Sequence, residues 1–303
     1  MKQATVDRGD SIAAGTTLVE VPEIAHELPI DVAERFRHLP GLALLESARP
    51  GRNARWSYLT ADPVAVLEQP AEAPDPFASA RRLLARLSTE RIAGAAAPPF
   101  IGGLVGFLGY DLGRRLERLP SLAVADQELP ALRLALHDWV IAWDRRDGRA
   151  WLGGRAVDER IAAMGRRLDE VLERLLGPAV GPWPSPEERR DAPVELRSGL
   201  DRRAYEAGVE AVRGFIAEGD IYQANLTRRV ESRFRGDPWP LYRRLRTGDP
   251  ALFAAYLELG RSPITDAPRA IVSASPEPFL RLTLASMQWK GDRSLALIAR
   301  GQF

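Results

Sequence analysis

The chain has 303 residues, 45% hydrophobic and 27% charged, with 42 Lys and Arg against 41 Asp and Glu for a net charge of +1; this is the composition of a soluble globular protein with one large domain or two ordinary ones. The charge balance leaves no basic surplus for nucleic acid and no acidic tail, and the lack of cysteine excludes disulfides, zinc thiolates and thiol nucleophiles. No apolar run approaches the roughly 20 residues of a membrane span, and residues 1–8 lack the apolar core of a signal peptide, so the expectation is a cytoplasmic protein with no membrane and no nucleic-acid partner.

Short apolar runs and turn residues alternate over residues 1–60. Residues 42–45 are apolar, Glu46-Ser47 follows, and a loop spans 48–53. Residues 55–59 then read as a strand, continued over 61–67 with a break at Pro63. Residues 70–76 form a loop, and 77–87 are helical by spacing. Residues 100–111 carry four glycines among bulky apolar side chains. Residues 132–143 and 150–156 read as a hairpin across 144–148, with Gly148 able to take a positive φ. Over 159–176, Ile161, Met164, Leu168, Val171, Leu172 and Leu175 share one helix face, stopped by Gly177-Pro178. The proline-rich stretch 178–193 is the best linker. A further helix runs over 201–218, with Tyr205, Val209, Val212, Phe215 and Ile216 on one face and Gly219 as its C-terminal cap. Residues 253–259 and 270–282 read as two strands joined by a proline-containing loop.

Several features look functional and have plainer readings. The glycines at 102, 103, 106 and 109 lack the offsets of a dinucleotide fingerprint and the Lys-Ser/Thr pair of a P-loop; close backbone packing is the reading. His26, His38 and His137 are far apart and not in metal-ligand spacing. No Gly-x-Ser-x-Gly elbow supports a hydrolase.

The most specific stretch is Gly219-Asp220-Ile221-Tyr222-Gln223-Ala224-Asn225-Leu226-Thr227. It follows an amphipathic helix and opens a segment in which a strand would point the polar residues alternately. It resembles the GDIYQ-N-LT segment of chorismate-using enzymes, the family of aminodeoxychorismate synthase component I and anthranilate synthase component I. Ser273-Ala274-Ser275-Pro276-Glu277-Pro278-Phe279 resembles the family's S-SPE-F motif. Leu44-Leu45-Glu46-Ser47 with Arg55-Trp56-Ser57 resembles its LLES…RWS segment, and residues 102–111 its GG-VG-L-YD stretch. The resemblance covers residues 40 to about 282.

The resemblance implies an α+β fold: two large antiparallel sheets packed face to face, with helices outside and the site between the sheets, here incomplete at the C-terminus. It implies an N-terminal domain over 1–180, a linker at 181–195, and a chorismate-binding domain over 196–303 with a tail foreign to the family from about 283. It implies Glu277 as general acid near the chorismate 4-hydroxyl, with Tyr222, Gln223, Asn225 and Thr227 supporting the site. A tryptophan pocket falls on Ser47, Asn53, Ala54, Arg55, Trp56, Leu252, Phe253 and Ala254; the family usually has proline where this chain has Leu252. The intact enzyme takes chorismate and ammonia with Mg²⁺ and exchanges the 4-hydroxyl for an amino group. The ammonia comes from a glutamine amidotransferase subunit, and the product feeds p-aminobenzoate and folate synthesis. Tyr222 and Thr227 favour this type over the anthranilate type, where Phe and Ser tend to stand. A non-catalytic protein that kept the tryptophan pocket or the amidotransferase interface is a third reading.

After about Thr283 the resemblance stops. The family continues into R-P-I-(K/A)-G-T, two separated magnesium-holding glutamates, a histidine and a glycine-rich carboxylate clamp; none follows here, so no metal ligand is expected in this chain. Back-translation of residues 288–299, read from the third base, gives Val-Glu-Gly-Arg-Pro-Ile-Ala-Gly-Thr-His-Arg. The expectation is a frameshift upstream of Gln288 and a truncated, inactive product.

Overall fold

The structure is a computed structural model. It describes residues 15–278 except 50, 52–53, 72, 74, 90–96, 121–125, 179–194 and 235. In chain order its elements begin with strand β1 (Thr16–Glu20), helix α1 (Pro29–Ala33), β2 (Ala43–Glu46), β3 (Trp56–Thr60) and β4 (Ala65–Gln69). Next come α2 (Pro76–Leu84), β5 (Gly103–Leu108), β6 (Leu132–His137), β7 (Trp139–Asp144), β8 (Arg149–Arg155) and α3 (Ile161–Leu175). After these lie β9 (Arg197–Ser198), α4 (Arg202–Glu218), β10 (Val230–Glu231), α5 (Pro238–Gly248), β11 (Phe253–Arg261) and β12 (Pro268–Ser275). The chain divides into two compact units, Met1–Pro182 with Pro238–Pro276, and Trp183–Asp237 with Glu277–Phe303.

The first unit is α+β. Seven antiparallel strands run in the order β1-β8-β7-β3-β2-β11-β12, and three more in the order β4-β6-β5. Period-two alternation sorts the side chains of the large sheet onto two faces. Leu44, Leu59, Ile141, Leu152 and Tyr256 face α1, α3 and α5, where they join Val32, Phe36, Met164, Leu168, Val171, Trp239 and Tyr242 in the main core. Ala43, Leu257 and Leu259 face the other way and meet Val105 of β5, with Leu45, Phe107 and Ile271 around them. That second cluster joins the two sheets. The α2 helix covers β4 and β6, and its N-cap Asp75 accepts from the Ala78 N–H at 2.8 Å.

Two strands read as continuous from sequence change sheets. Residues 132–143 divide at Asp138 into β6 of the small sheet and β7 of the large one, and β3 passes to β4 through Asp62-Pro63. Corners of this kind let one chain line two packed sheets. The hairpin from β7 to β8 forms as expected, with Gly148 at φ 63°. The glycines of β5 serve close packing: a side chain at Gly106 would run into the Arg133 carbonyl.

The chain passes between the units at Pro182/Trp183, again at Asp237/Pro238, and again at Pro276/Glu277. Residues 238–276, expected with the C-terminal domain, join the first unit because β11 pairs with β2, Ala254 opposite Glu46 and Leu257 opposite Ala43. Helix α5 was not anticipated, although Asp237-Pro238 is a helix-start signal.

In the second unit, α4 begins at N-cap Asp201, which accepts from the Ala204 N–H at 2.7 Å. It ends at Gly219, φ 85°, where Gly219 N–H reaches the Ile216 carbonyl and Asp220 N–H the Phe215 carbonyl. This is the Schellman arrangement that glycine accommodates. Against the described residues α4 buries none of its side chains. β9 and β10 pair over two residues each.

Candidate functional site

The best-assembled of the expected site residues lie where β2 meets β11. β2 ends at Glu46 and Ser47, and the Ala48 N–H donates to the Ala251 carbonyl at 2.9 Å. The Ser47 N–H donates to Ser57 Oγ at 3.1 Å, and Ser47 Oγ donates to the Trp56 carbonyl at 3.0 Å. Both serines are buried, so these bonds supply what water would otherwise provide. The Ala54 N–H closes the loop onto the Gly51 carbonyl at 3.0 Å. Leu252 rests directly on Gly51, where an added Cβ would stand 2.7 Å from Leu252 Cδ2. Ser47, Ala54, Trp56 and residues 252–254 are therefore gathered at the ends of neighbouring strands. Asn53 lies outside the described residues.

Arg55 is committed to a structural pair. Its guanidinium grips Asp144 through Nε at 3.1 and 3.0 Å and Nη2 at 2.6 Å, and reaches Asp147 at 3.2 Å. Burial raises the Asp144 carboxyl, but hydrogen bonds from Arg55 and from the Arg146 and Asp147 N–H groups, with the Arg55 charge, hold it below the usual range. Arg55 also lies 5.0 Å over the Trp56 ring, in cation–π range.

Beneath Ser47 is a buried clasp that the sequence did not reveal. Glu46 receives Arg246 of α5 in bidentate fashion, at 2.7 and 2.6 Å, and the Tyr242 hydroxyl at 3.3 Å. Burial beside Glu46 pushes the Tyr242 phenol well above its ordinary range. One turn away, Glu34 accepts from Trp239 Nε1 at 2.7 Å and from Arg243 at 2.8 Å. Burial raises Glu34, and those two donors pull against it. Trp239 completes the clasp by packing edge-on to Tyr256, centroids 4.8 Å apart. The partners of Glu46 are separated from it by 196 and 200 residues, too far for any local pattern to reveal.

The second unit carries the other expected residues. Residues 221–229 are not a strand: β10 covers only Val230–Glu231. Leu226 is held along α4, its carbonyl accepting from the Tyr205 hydroxyl at 3.3 Å and its side chain against Gly208. Tyr222, 93% exposed, and Gln223, Asn225 and Thr227 face solvent. A ladder needs a partner strand, and among the described residues β10 pairs with the short β9 over two residues. Glu277 is exposed just beyond β12, between two prolines. The tail from 283 lies outside the described residues. No group of three or more His, Cys, Asp or Glu side chains among the described residues forms a metal-holding cluster. His137 is buried, 3.0 Å from Thr60 Oγ1, and burial pushes it down to about 4; it is a neutral core histidine. No helix among the described residues is long and apolar enough to cross a membrane.

This chain belongs to the chorismate binding enzyme family, which matches residues 43–289. Among curated relatives it is similar to aminodeoxychorismate synthase component 1 of Klebsiella aerogenes, 31% identical over 198 residues, covering 63% of this chain and 38% of the relative. It is similar also to anthranilate synthase component 1 of Mycolicibacterium smegmatis, 32% identical over 329 aligned residues, covering 95% of this chain and 61% of the relative. Its fold is that of anthranilate synthase component I from Streptococcus pneumoniae TIGR4, with a TM-score of 0.53 at 20% identity, over 78% of this chain and 53% of that one. The chain thus spans 38% and 61% of those two curated relatives.

Proposed function

We propose that these residues belong to an enzyme that aminates chorismate to 4-amino-4-deoxychorismate. Glu277 gives its proton to the departing 4-hydroxyl, which leaves as water, and ammonia from a glutamine amidotransferase subunit supplies the new amino group. A positioned acid of this kind contributes about 10²–10⁴-fold. Tyr222, Gln223, Asn225 and Thr227 form the floor of that site once it is complete, and Mg²⁺ ligands come from elsewhere in the enzyme. The 303 residues alone are proposed to be inactive. The observation that carries the reading is the family match over residues 43–289, which takes in both specific segments, 219–227 and 273–279.

Ser47 and residues 54–56 and 252–254 are proposed as a tryptophan-binding wall. The gathering of these residues where β2 meets β11 supports it.

A second reading, amination to anthranilate, is favoured by the match to an anthranilate synthase over 95% of this chain. The test is product analysis with chorismate, ammonium and Mg²⁺, using the enzyme extended in the alternative frame upstream of Gln288. 4-Amino-4-deoxychorismate is expected. Anthranilate instead would replace the first reading with the second, and neither product would overturn both. Glu277→Gln in that enzyme should lower turnover about 10²–10⁴-fold with substrate binding kept; unchanged turnover would remove Glu277 from the chemistry.

A further inference from the structure

The wall at Ser47 is built from two halves on different strands. Ser47 leaves β2 beside Glu46, while Leu252 and Phe253 open β11 directly after α5. The halves are joined by the ladder pair of Ala254 with Glu46 and by the Ala48 N–H on the Ala251 carbonyl at 2.9 Å. They are joined also by the pair of Glu46 with Arg246 of α5.

That last link is the most exacting. The Glu46 side chain is 0% exposed and that of Arg246 13%. A guanidinium fork on a carboxylate fixes the angle between the two groups as well as their distance. Tyr242 and Arg246 stand at i and i+4, on one face of α5, and both reach the carboxylate next to Ser47. The same helix leads straight into the other half. The Asp249 N–H still bonds the Leu245 carbonyl at 2.8 Å, and the buried Ala251 follows across Pro250. Trp239 and Tyr242 pack on Tyr256 of β11, with ring centroids 4.8 and 5.7 Å away. α5 therefore holds one half of the wall by side chains and the other by the chain itself.

We infer that Arg246 is a positioning residue for this wall, and that the wall takes its ligand only while α5 is docked. The inference rests on the tryptophan reading of the wall and names how that site is regulated. Whatever loosens α5 empties the wall, and a ligand in the wall tightens α5, because such coupling is reciprocal.

Calorimetry with L-tryptophan and amide hydrogen exchange, both on the 303-residue chain, test it. The wild-type chain should bind tryptophan, and bound tryptophan should slow exchange over residues 239–248 at least as much as in α3. Arg246→Lys keeps the charge and gives up the fork. In that variant α5 should exchange faster than α3, and saturating tryptophan should bring it back toward the wild-type rate. The dissociation constant should rise by the factor by which the docked fraction falls, about tenfold where α5 is docked one tenth of the time. The wild-type exchange measurement keeps the test open if Arg246→Lys does not fold. Tryptophan affinity unchanged in folded Arg246→Lys, or α5 exchange unaffected by bound tryptophan, would overturn the inference and leave the wall standing. A wild-type chain that binds no tryptophan would overturn the wall itself, and the inference with it.

Discussion

Helices α3 and α4 have similar lengths, 15 and 17 residues, and equally clear apolar faces, yet opposite fates. α3 buries Met164, Leu168, Val171 and Leu175. α4 leaves Val209, Phe215 and Ile216 at 38%, 48% and 44% exposure. Both have the right period, and α4 has the better ends, with an Asp cap and a left-handed glycine that α3 lacks. Local chemistry thus makes the helix in each case, and only the nearby sheet gives α3 a core. Packing supplies most helix stability in proteins, so the two helices should respond to mutation on different scales.

The largest effect should come from the clasp under Ser47. Glu46→Ala leaves Arg246 buried without its carboxylate and should cost about 3–5 kcal/mol. A loss of unfolding free energy in urea of less than a quarter of that would show α5 to be dispensable to the packed unit. Next, Leu168→Ala in α3 should cost about 2–5 kcal/mol, because Leu168 sits on Gly154. Ile216→Ala in α4 should stay within about 0.5 kcal/mol. Equal losses in urea unfolding would mean that α4 is covered after all and would erase the contrast.

A pH series sharpens the same comparison. His137 titrates near 4 folded against 6.5 as its ordinary value, so the unfolded chain binds the extra proton between these limits. Its share of stability is present above about pH 6.5 and is lost as pH falls toward 4, about 3 kcal/mol in all. Glu34, raised by burial, has the opposite sign, its share present at low pH and lost as pH rises through its folded value. His137→Asn should therefore flatten the fall between pH 6.5 and 4 in first-unit signals, and an unchanged slope would assign the fall to other groups. A small and local effect belongs to the α4 cap. Asp201→Ala should cost about 1 kcal/mol, read as faster amide exchange over residues 202–206 with the first unit's melting unchanged.

Sequence alone located α3, α4, their glycine or proline stops and the hairpin from β7 to β8, because period and turn chemistry are local. It ran residues 132–143 together as one strand, since nothing in that apolar run marks Asp138 as a corner between sheets. It grouped 238–276 with the wrong unit, because the register of Ala254 on Glu46 is written in two segments about 200 residues apart. The gathering of Ser47 with Leu252 was legible only through resemblance; no spacing rule links them. The grip of Arg55 on Asp144, 89 residues away, was not legible.

The pairing of β2 with β11 also sets a clock. β2 lies near the start of the chain, but the neighbour that covers its free edge begins at Phe253. At synthesis rates of about 5–20 residues per second, that edge waits roughly 10–40 s on the ribosome. During that time the apolar row Ala43-Leu44-Leu45 and the lone carboxylate of Glu46 have no Arg246 and no ladder to close them. A cell making this protein must therefore shelter one unfinished sheet for longer than most elementary folding steps take.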